Sequence, residues 1–152
     1  MSAGGQQGQR AITLEEAIEQ LSLLESQIKQ LQTAAAELES RLAQLSAVEE
    51  AIMDVHDGAE DALVPLDTSG EVLVRASVKP LEQVIVHAGL DVFVELPRDK
   101  ALAFLREERA SVSRLLDAYR RELAKLTEHY VALRSAVEQA LQAAQQQRGA
   151  RG

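Results

Sequence analysis

The sequence predicts an α+β fold in which two long helices, paired as an antiparallel coiled coil, are joined by a small segment of two β-hairpins. Two heptad patterns predict the helices, since apolar residues recur alternately every three and four positions through residues 13–57 and 97–147. Short β-branched runs between turn residues predict strands within residues 63–96. Only 3% of the 152 residues are aromatic, which favours long helices with a thin core over a globule.

The first predicted helix begins with a capping box and continues as a coiled-coil seam. In Thr13-Leu14-Glu15-Glu16, the Thr13 hydroxyl can accept a hydrogen bond from the Glu16 N–H, and the Glu16 carboxylate can accept one from the Thr13 N–H. Residues 1–12, rich in Gly, Ser and Gln, are expected to be disordered. Eleven of the twelve seam positions are apolar, and Glu49 is the exception. The apolar positions are Leu14, Ala17, Leu21, Leu24, Ile28, Leu31, Ala35, Leu38, Leu42, Leu45 and Ile52.

Four apolar runs between the helices predict two β-hairpins, because Gly70, Pro80 and Gly89 and their polar neighbours separate them at turn positions. Two isolated hairpins have little core of their own and leave open edges, so we expect strands of other subunits to cover them. Leu73, Ile85 and Phe93 add apolar groups to the opposite faces of their strands. The strand residues expected at the oligomer interface are Val72, Val74, Ala76, Val78, Val84, Val86, Val92 and Val94.

The second predicted helix begins near Pro97, which suits a first-turn position, and runs to residue 147. Twelve of its thirteen seam positions are apolar, and Arg109 is the exception. The apolar positions are Leu102, Leu105, Val112, Leu116, Tyr119, Leu123, Leu126, Tyr130, Leu133, Val137, Ala140 and Ala144. Residues 148–152 are expected to form a disordered tail. The two helices are nearly equal in length and a compact reversal joins them, so we expect them to pack on each other as an antiparallel hairpin. Pairing with helices of other chains is the alternative.

The seam also predicts a register and a charged pair. Residues 13–57 carry 10 acidic and 2 basic side chains, whereas residues 99–147 carry 7 acidic and 8 basic ones, which favours pairing of the unlike helices. If Thr13 lies opposite Gln145, facing residue numbers sum to 158 and Glu49 faces Arg109. Such a pair compensates both charges and sets the register. In the alternative, both side chains extend into water.

Composition argues against several classes of function. The net charge of −8 disfavours a nucleic-acid surface, and the absence of cysteine excludes disulfides and thiol chemistry. No apolar run reaches the length of a membrane span, so we expect no membrane partner. Asp54-Val55-His56-Asp57 contains candidate metal ligands, but a solvated acidic turn at the end of the helix is the preferred interpretation. We predict no catalytic residue, no metal site and no cofactor, and therefore no enzyme.

The order of these elements resembles prefoldin, specifically the alpha-type subunit of the archaeal complex. The similarity extends from about Thr13 to Gln147, with Asp91 as a departure where a second glycine is expected. The matching segments are Val64-Pro65-Leu66, Val74-Arg75-Ala76, Val84-Ile85-Val86 with Gly89, Val92-Phe93-Val94-Glu95 and Ala101-Leu102-Ala103-Phe104-Leu105. The resemblance implies a cytoplasmic hexamer of two alpha-type and four beta-type subunits, whose strands form a β-barrel. It also implies an ATP-independent chaperone that holds unfolded client proteins and transfers them to a group II chaperonin.

Large apolar residues at the open end of the predicted hairpin are candidates for client binding. Ile12, Ile18 and Leu23 lie outside the first seam, and Val131 and Leu141 lie outside the second. Exposed apolar groups of this kind can bind non-native chains. The helix-end surface expected to bind clients comprises Ile12, Leu14, Ile18, Leu21, Leu23, Val137 and Leu141. The alternatives are ordinary surface hydrophobes, a wider interface between the helices, and, for the whole chain, a coiled-coil scaffold subunit of another complex.

Overall fold

The computed structural model describes residues 12–151, so most of the predicted N-terminal tail and Gly152 lie outside the described residues. Within that range the predicted α+β fold of two long helices and two antiparallel hairpins is confirmed. The elements in chain order are α1 Leu14–Asp54, β1 Ala59–Pro65, β2 Leu73–Val78, β3 Gln83–Gly89, β4 Val92–Pro97 and α2 Arg98–Gly149. The chain divides into two units, residues 12–36 with 118–151 and Glu37–Asp117, and each is described by itself.

Some element boundaries differ from those predicted. Helix α1 ends at Asp54 rather than residue 57, and a turn leads to Gly58 at φ +85°. A Cβ at Gly58 would lie 2.7 Å from the Val78 carbonyl oxygen, so this close approach requires glycine. Strand β1 begins at Ala59, four residues before the apolar run, because Ala59 pairs with Val78 across a bulge.

The C-terminal boundary also differs. Helix α2 begins at Arg98 and continues to Gly149, so Arg148 and Gly149 are helical rather than part of the predicted disordered tail. The helix continues this far because Gln145, Gln146, Gln147 and Arg148 are good helix formers and no helix breaker precedes Gly149. At the other end, Pro97 is the last residue of β4 rather than a first-turn residue of the helix.

The predicted capping box at the start of α1 is confirmed. The Thr13 N–H donates to Glu16 Oε2 at 2.9 Å, and the Glu16 N–H donates to Thr13 Oγ1 at 3.1 Å. Both backbone donors would otherwise lack a partner within the helix. Thr13 and Glu16 therefore stabilise the first turn of α1, although Thr13, Leu14 and Glu15 are exposed.

The buried apolar residues follow the heptad pattern. Of the nine in the described residues, eight occupy predicted seam positions, and Ala101 in the first turn of α2 is the addition. All nine are alanine, leucine or valine, and none is aromatic, as expected for a thin core between helices. They are Ala17, Leu24, Ala35 and Leu45 of α1 and Ala101, Leu102, Leu105, Leu116 and Val137 of α2.

Asp67 organises the loop that joins β1 to β2. Its carboxylate accepts hydrogen bonds from the Ser69 hydroxyl and from the backbone N–H groups of Ser69, Glu71 and Val72. The Ser69 hydroxyl, followed by these backbone donors, lowers the pKa of Asp67 to about 2. The loop is thus built around an ionised carboxylate, and the Leu66 N–H closes it on the Val72 carbonyl oxygen at 2.9 Å.

The lowered pKa of Asp67 predicts a loop that loosens in acid. A carboxyl group with a depressed folded-state pKa stabilises the fold above its ordinary pKa, and this contribution disappears as the pH falls towards the folded value. We expect Asp67→Ala to lower the thermal midpoint of this chain at pH 7, with the difference from wild type shrinking between about pH 4 and pH 2. A pH series of thermal unfolding measures it, and a pH-independent difference would contradict the role of the carboxylate.

The second hairpin closes with a two-residue turn. Gly89 pairs with Val92, and Leu90 and Asp91 between them adopt φ values of 49° and 59°. Positive φ at both central residues is the geometry of the tight turn that best fits strand twist. Aspartate tolerates this region, so Asp91 takes the conformation for which a glycine was expected.

Candidate functional site

One face of each hairpin in the Glu37–Asp117 unit is almost wholly small or β-branched. In the first hairpin Val64 pairs with Val74 and Ala62 with Ala76, and in the second Val86 pairs with Val94. Residues paired across antiparallel strands share a face. Val74 and Val94 remain about 38–39% exposed, so the chain by itself does not cover these faces. Of the other residues predicted at the interface, Val72 precedes β2 and is exposed, Val92 is exposed, and Ala76, Val78, Val84 and Val86 are half-buried.

The opposite faces of the hairpins are mixed rather than uniformly apolar. Leu63 pairs with Arg75, and Ile85 pairs with Glu95. Arg75 Nη1 also lies 2.7 Å from Asp61 Oδ2. Apolar residues are present there as expected, and the His87 ring packs against the Phe93 ring at a tilt of 46°, with ring centroids 5.0 Å apart. Charged groups interrupt these faces. The faces that carry Val64 and Val74 in the first hairpin and Val86 and Val94 in the second, called the valine faces below, are therefore the stronger candidates for burial between subunits.

Glu49 is the centre of a charged cluster between the helices of the same unit. Arg109 Nη1 lies 2.9 Å from Glu49 Oε2, and Arg106 Nε lies 2.6 Å from Glu49 Oε1. The Glu49 side chain is only 14% exposed. The hydrogen bond from Arg106, supported by the charges of both arginines, lowers the pKa of Glu49 although burial opposes the shift. Sequence reasoning paired Glu49 with Arg109 but missed Arg106, which is three residues earlier on the same helix face.

We expect the Glu49 cluster to show energetic coupling. In double-mutant cycles, Glu49→Ala combined with Arg109→Ala or Arg106→Ala should change the thermal midpoint non-additively. The reference cycle is Arg134–Glu138, an exposed pair at 3.0 Å on α2. The Glu49 cycles should give the larger coupling because Glu49 is the more shielded from water. Equal or smaller coupling would show that the seam charges do not set the register.

The other unit carries the ends of both helices and the helix-end surface. Ile12, Ile18, Leu23 and Leu141 are all exposed, with fractions from 43% for Leu141 to 60% for Leu23. The Leu14 side chain is 39% exposed, slightly less than these four, and Leu21 is half-buried. Val137 is buried, so in this arrangement it packs in the seam and is not available to a client. Val131, which the sequence also places outside the second seam, is 59% exposed.

Among residues 12–151 no group of His, Asp and Glu side chains is arranged to hold a metal ion. The His56 ring contacts the Met53 carbonyl oxygen through Nδ1 at 3.0 Å and Asp57 Oδ1 through Nε2 at 3.0 Å, in the turn after α1. In the same part of the chain, neither helix has an apolar stretch that would allow it to span a membrane.

Comparison with known proteins defines the class of this chain. The family model described as prefoldin subunit matches residues 13–146, which is most of the chain. A filamentous prefoldin from Methanocaldococcus jannaschii has a similar fold, with a TM-score of 0.63 at 19% identity over 80% of this chain and 98% of that one. The order of helices and hairpins is therefore that of a prefoldin.

The sequence relatives specify the type of subunit. Prefoldin subunit alpha of Hyperthermus butylicus is 62% identical over 95% of this chain and 93% of its own length. The subunit alpha of Aeropyrum pernix is 31% identical over 88% of this chain and 93% of its own length. The chain belongs to the prefoldin family and is of the archaeal alpha type. Membership makes it a non-enzymatic chaperone subunit that assembles with other prefoldin subunits.

Proposed function

We propose that this chain holds unfolded polypeptides, without ATP, as the alpha-type subunit of a prefoldin complex. The observation that carries the proposal is the combination of two incomplete surfaces in one prefoldin-family chain. The valine faces of the hairpins are open in the isolated subunit, and large apolar residues at the helix ends remain exposed. The first surface suits assembly, and the second suits binding of non-native chains.

The proposed partners in assembly are beta-type prefoldin subunits, in a hexamer with two alpha-type and four beta-type chains. Two two-stranded sheets with open edges support this proposal, because small hairpins are marginal until further strands or helices cover them. In the proposed assembly, the valine faces line the interior of a shared β-barrel. Mass measurement of the complex, with and without a beta-type partner, tests the stoichiometry.

The proposed client surface is the exposed part of the helix-end surface. Each aliphatic side chain buried against a client contributes roughly 1.5–3 kcal/mol at most, less the cost of ordering the bound chain. Several such weak contacts, repeated on neighbouring subunits, give reversible holding through multivalency. Reversible binding allows the client to be transferred to a group II chaperonin in the cytoplasm. This transfer is the last step of the proposed function.

Aggregation of an unrelated unfolded protein tests the proposal. The assembled complex, purified without nucleotide, should suppress light scattering by a chemically denatured protein diluted into buffer, and addition of ATP should change nothing. A complex that assembles normally but leaves aggregation unaffected would favour the scaffold function. The transfer step is tested by adding a chaperonin to the client-loaded complex and measuring the yield of refolded client. A group II chaperonin should raise this yield more than a group I chaperonin does.

A further inference from the structure

The N-terminal part of α1 carries a groove that the helix pair does not use. Ile12, Glu16, Glu19, Gln20 and Leu23 line it. They recur at helical spacing, so they form one stripe along the helix. The seam lies on another face, as the burial of Ala17 and Leu24 shows, while Ile12 and Leu23 remain exposed. An apolar residue at each end and carboxylates between them distinguish this stripe from a uniformly apolar surface.

The groove lies in the most acidic part of the described unit. Residues 12–36 contain four glutamates, Glu15, Glu16, Glu19 and Glu25, and the single basic residue Lys29. Glu16 already accepts a hydrogen bond from the Thr13 N–H. Glu15 and Glu19 form no ion pair within residues 12–151. Glu19 lines the groove, and Glu15 lies one helical turn before Glu19, beside the groove. One carboxylate in the groove and one beside it therefore remain available to a cation.

We propose that this groove captures extended client segments in which apolar residues are interspersed with Lys or Arg. The inference rests on the proposed chaperone function and adds the chemical class of client segment that the alpha-type subunit prefers. Ile12 and Leu23 are separated by roughly 16 Å at 1.5 Å per residue. Five residues of extended chain span about the same distance. A segment with two apolar side chains about five residues apart therefore contacts both ends of the groove, and basic residues between them face the carboxylates.

Among client segments of equal hydrophobicity, the charge of the segment determines which binds the groove more tightly. Exposed ion pairs are individually weak, so two of them shift affinity by about threefold to tenfold at low salt. This preference should fade as ionic strength rises, because exposed charges are screened. The apolar contacts of Ile12 and Leu23 are insensitive to salt on this scale and remain common to all clients.

Two fluorescent peptides with identical apolar positions test the proposal on the assembled oligomer with unchanged partner subunits. One peptide carries Lys between its leucines, and the other carries Glu at the same places. Fluorescence anisotropy in about 50 mM salt should give the Lys peptide about threefold to tenfold tighter binding. Glu15→Gln with Glu19→Gln should remove most of that difference while sparing the capping residue Glu16.

The matched control is Glu37→Gln with Glu50→Gln, which removes the same charge from exposed positions of α1 outside the groove. It should retain the preference, so a general effect of net charge is separated from the groove. Equal binding of the two peptides, or a preference unchanged by the Glu15 and Glu19 substitutions, would overturn the proposal. Failure of both peptides to bind would overturn it as well.

Aggregation suppression, measured on the same preparations, separates this proposal from the function on which it rests. Suppression that persists without a Lys preference would leave the chaperone function standing and remove the groove proposal. Loss of suppression by the wild-type complex would remove the chaperone function itself. Circular dichroism of each variant checks that the first turns of α1 remain helical, because Glu15 and Glu19 also interact favourably with the positive end of the helix dipole.

Discussion

Replacing Val74 and Val94 with aspartate is expected to dissociate the oligomer while both helices remain folded. The two valines lie on the valine faces of different hairpins, and both side chains are partly exposed in the single chain. A carboxylate buried there without a partner costs on the order of several kcal/mol. Two such residues per subunit should weaken assembly by more than about a thousandfold, since 1.4 kcal/mol corresponds to tenfold.

Sedimentation velocity at micromolar concentration measures the expected loss, and circular dichroism checks the helices. The matched control is Thr68→Asp with Ser77→Asp, which adds the same charge at exposed positions of the loop and of β2 that lie off the valine faces. It should assemble normally. An intact oligomer carrying both valine substitutions would show that subunits do not associate through these faces.

Changing Ile18, Leu23 and Leu141 to serine is expected to weaken client holding and to leave assembly nearly intact. All three side chains are exposed, so their loss leaves no cavity in the seam. Each removes an aliphatic contact worth roughly 1.5–3 kcal/mol at most when fully buried against a client. Because contacts on several subunits act together, we expect the concentration needed for half-maximal aggregation suppression to rise about tenfold or more.

The partner subunits require their own controls, since intact helix ends on them would mask the loss. The decisive comparison therefore uses complexes with matching substitutions in the partners, beside a complex in which Ala43, Ala47 and Ala110 are changed to serine. These alanines are exposed and lie in the Glu37–Asp117 unit. If suppression by the fully substituted complex equals that of wild type, the helix ends do not bind clients, and the hairpins become the next candidate.

Local patterns in the sequence predicted most of the fold. Heptad spacing identified eight of the nine buried residues among residues 12–151, because side-chain direction in a helix depends only on position along it. The capping box was equally predictable, since Thr13 and Glu16 are three residues apart. The burial of Ala101 was not predictable, because Ala101 lies outside the heptad rows and no pattern along α2 marks it for burial.

The candidate sites were less predictable, because they depend on groups from different elements. Register reasoning paired Glu49 with Arg109, but only the positions of side chains reveal that Arg106 donates to the same carboxylate. Val137 is a seam position that was also assigned to the client surface, and its burial decides in favour of the seam. The groove beside Glu16 and Glu19 also required the structure, since it depends on which side of α1 faces away from the seam.

By itself, the sequence determined the number, type and order of the elements, because heptads, β-branched runs and turn residues are local signals. The class of protein was indicated by the resemblance of these elements and their motifs to prefoldin. Tertiary structure decided where elements end and which groups meet. The glycine required at position 58 and the start of β1 at Ala59 both result from the close approach of this segment to Val78. The pKa of Asp67 is lowered by hydrogen-bond donors up to five residues away, which the loop brings together. Such contacts depend on free energies summed over the folded chain, so no single stretch of sequence encodes them.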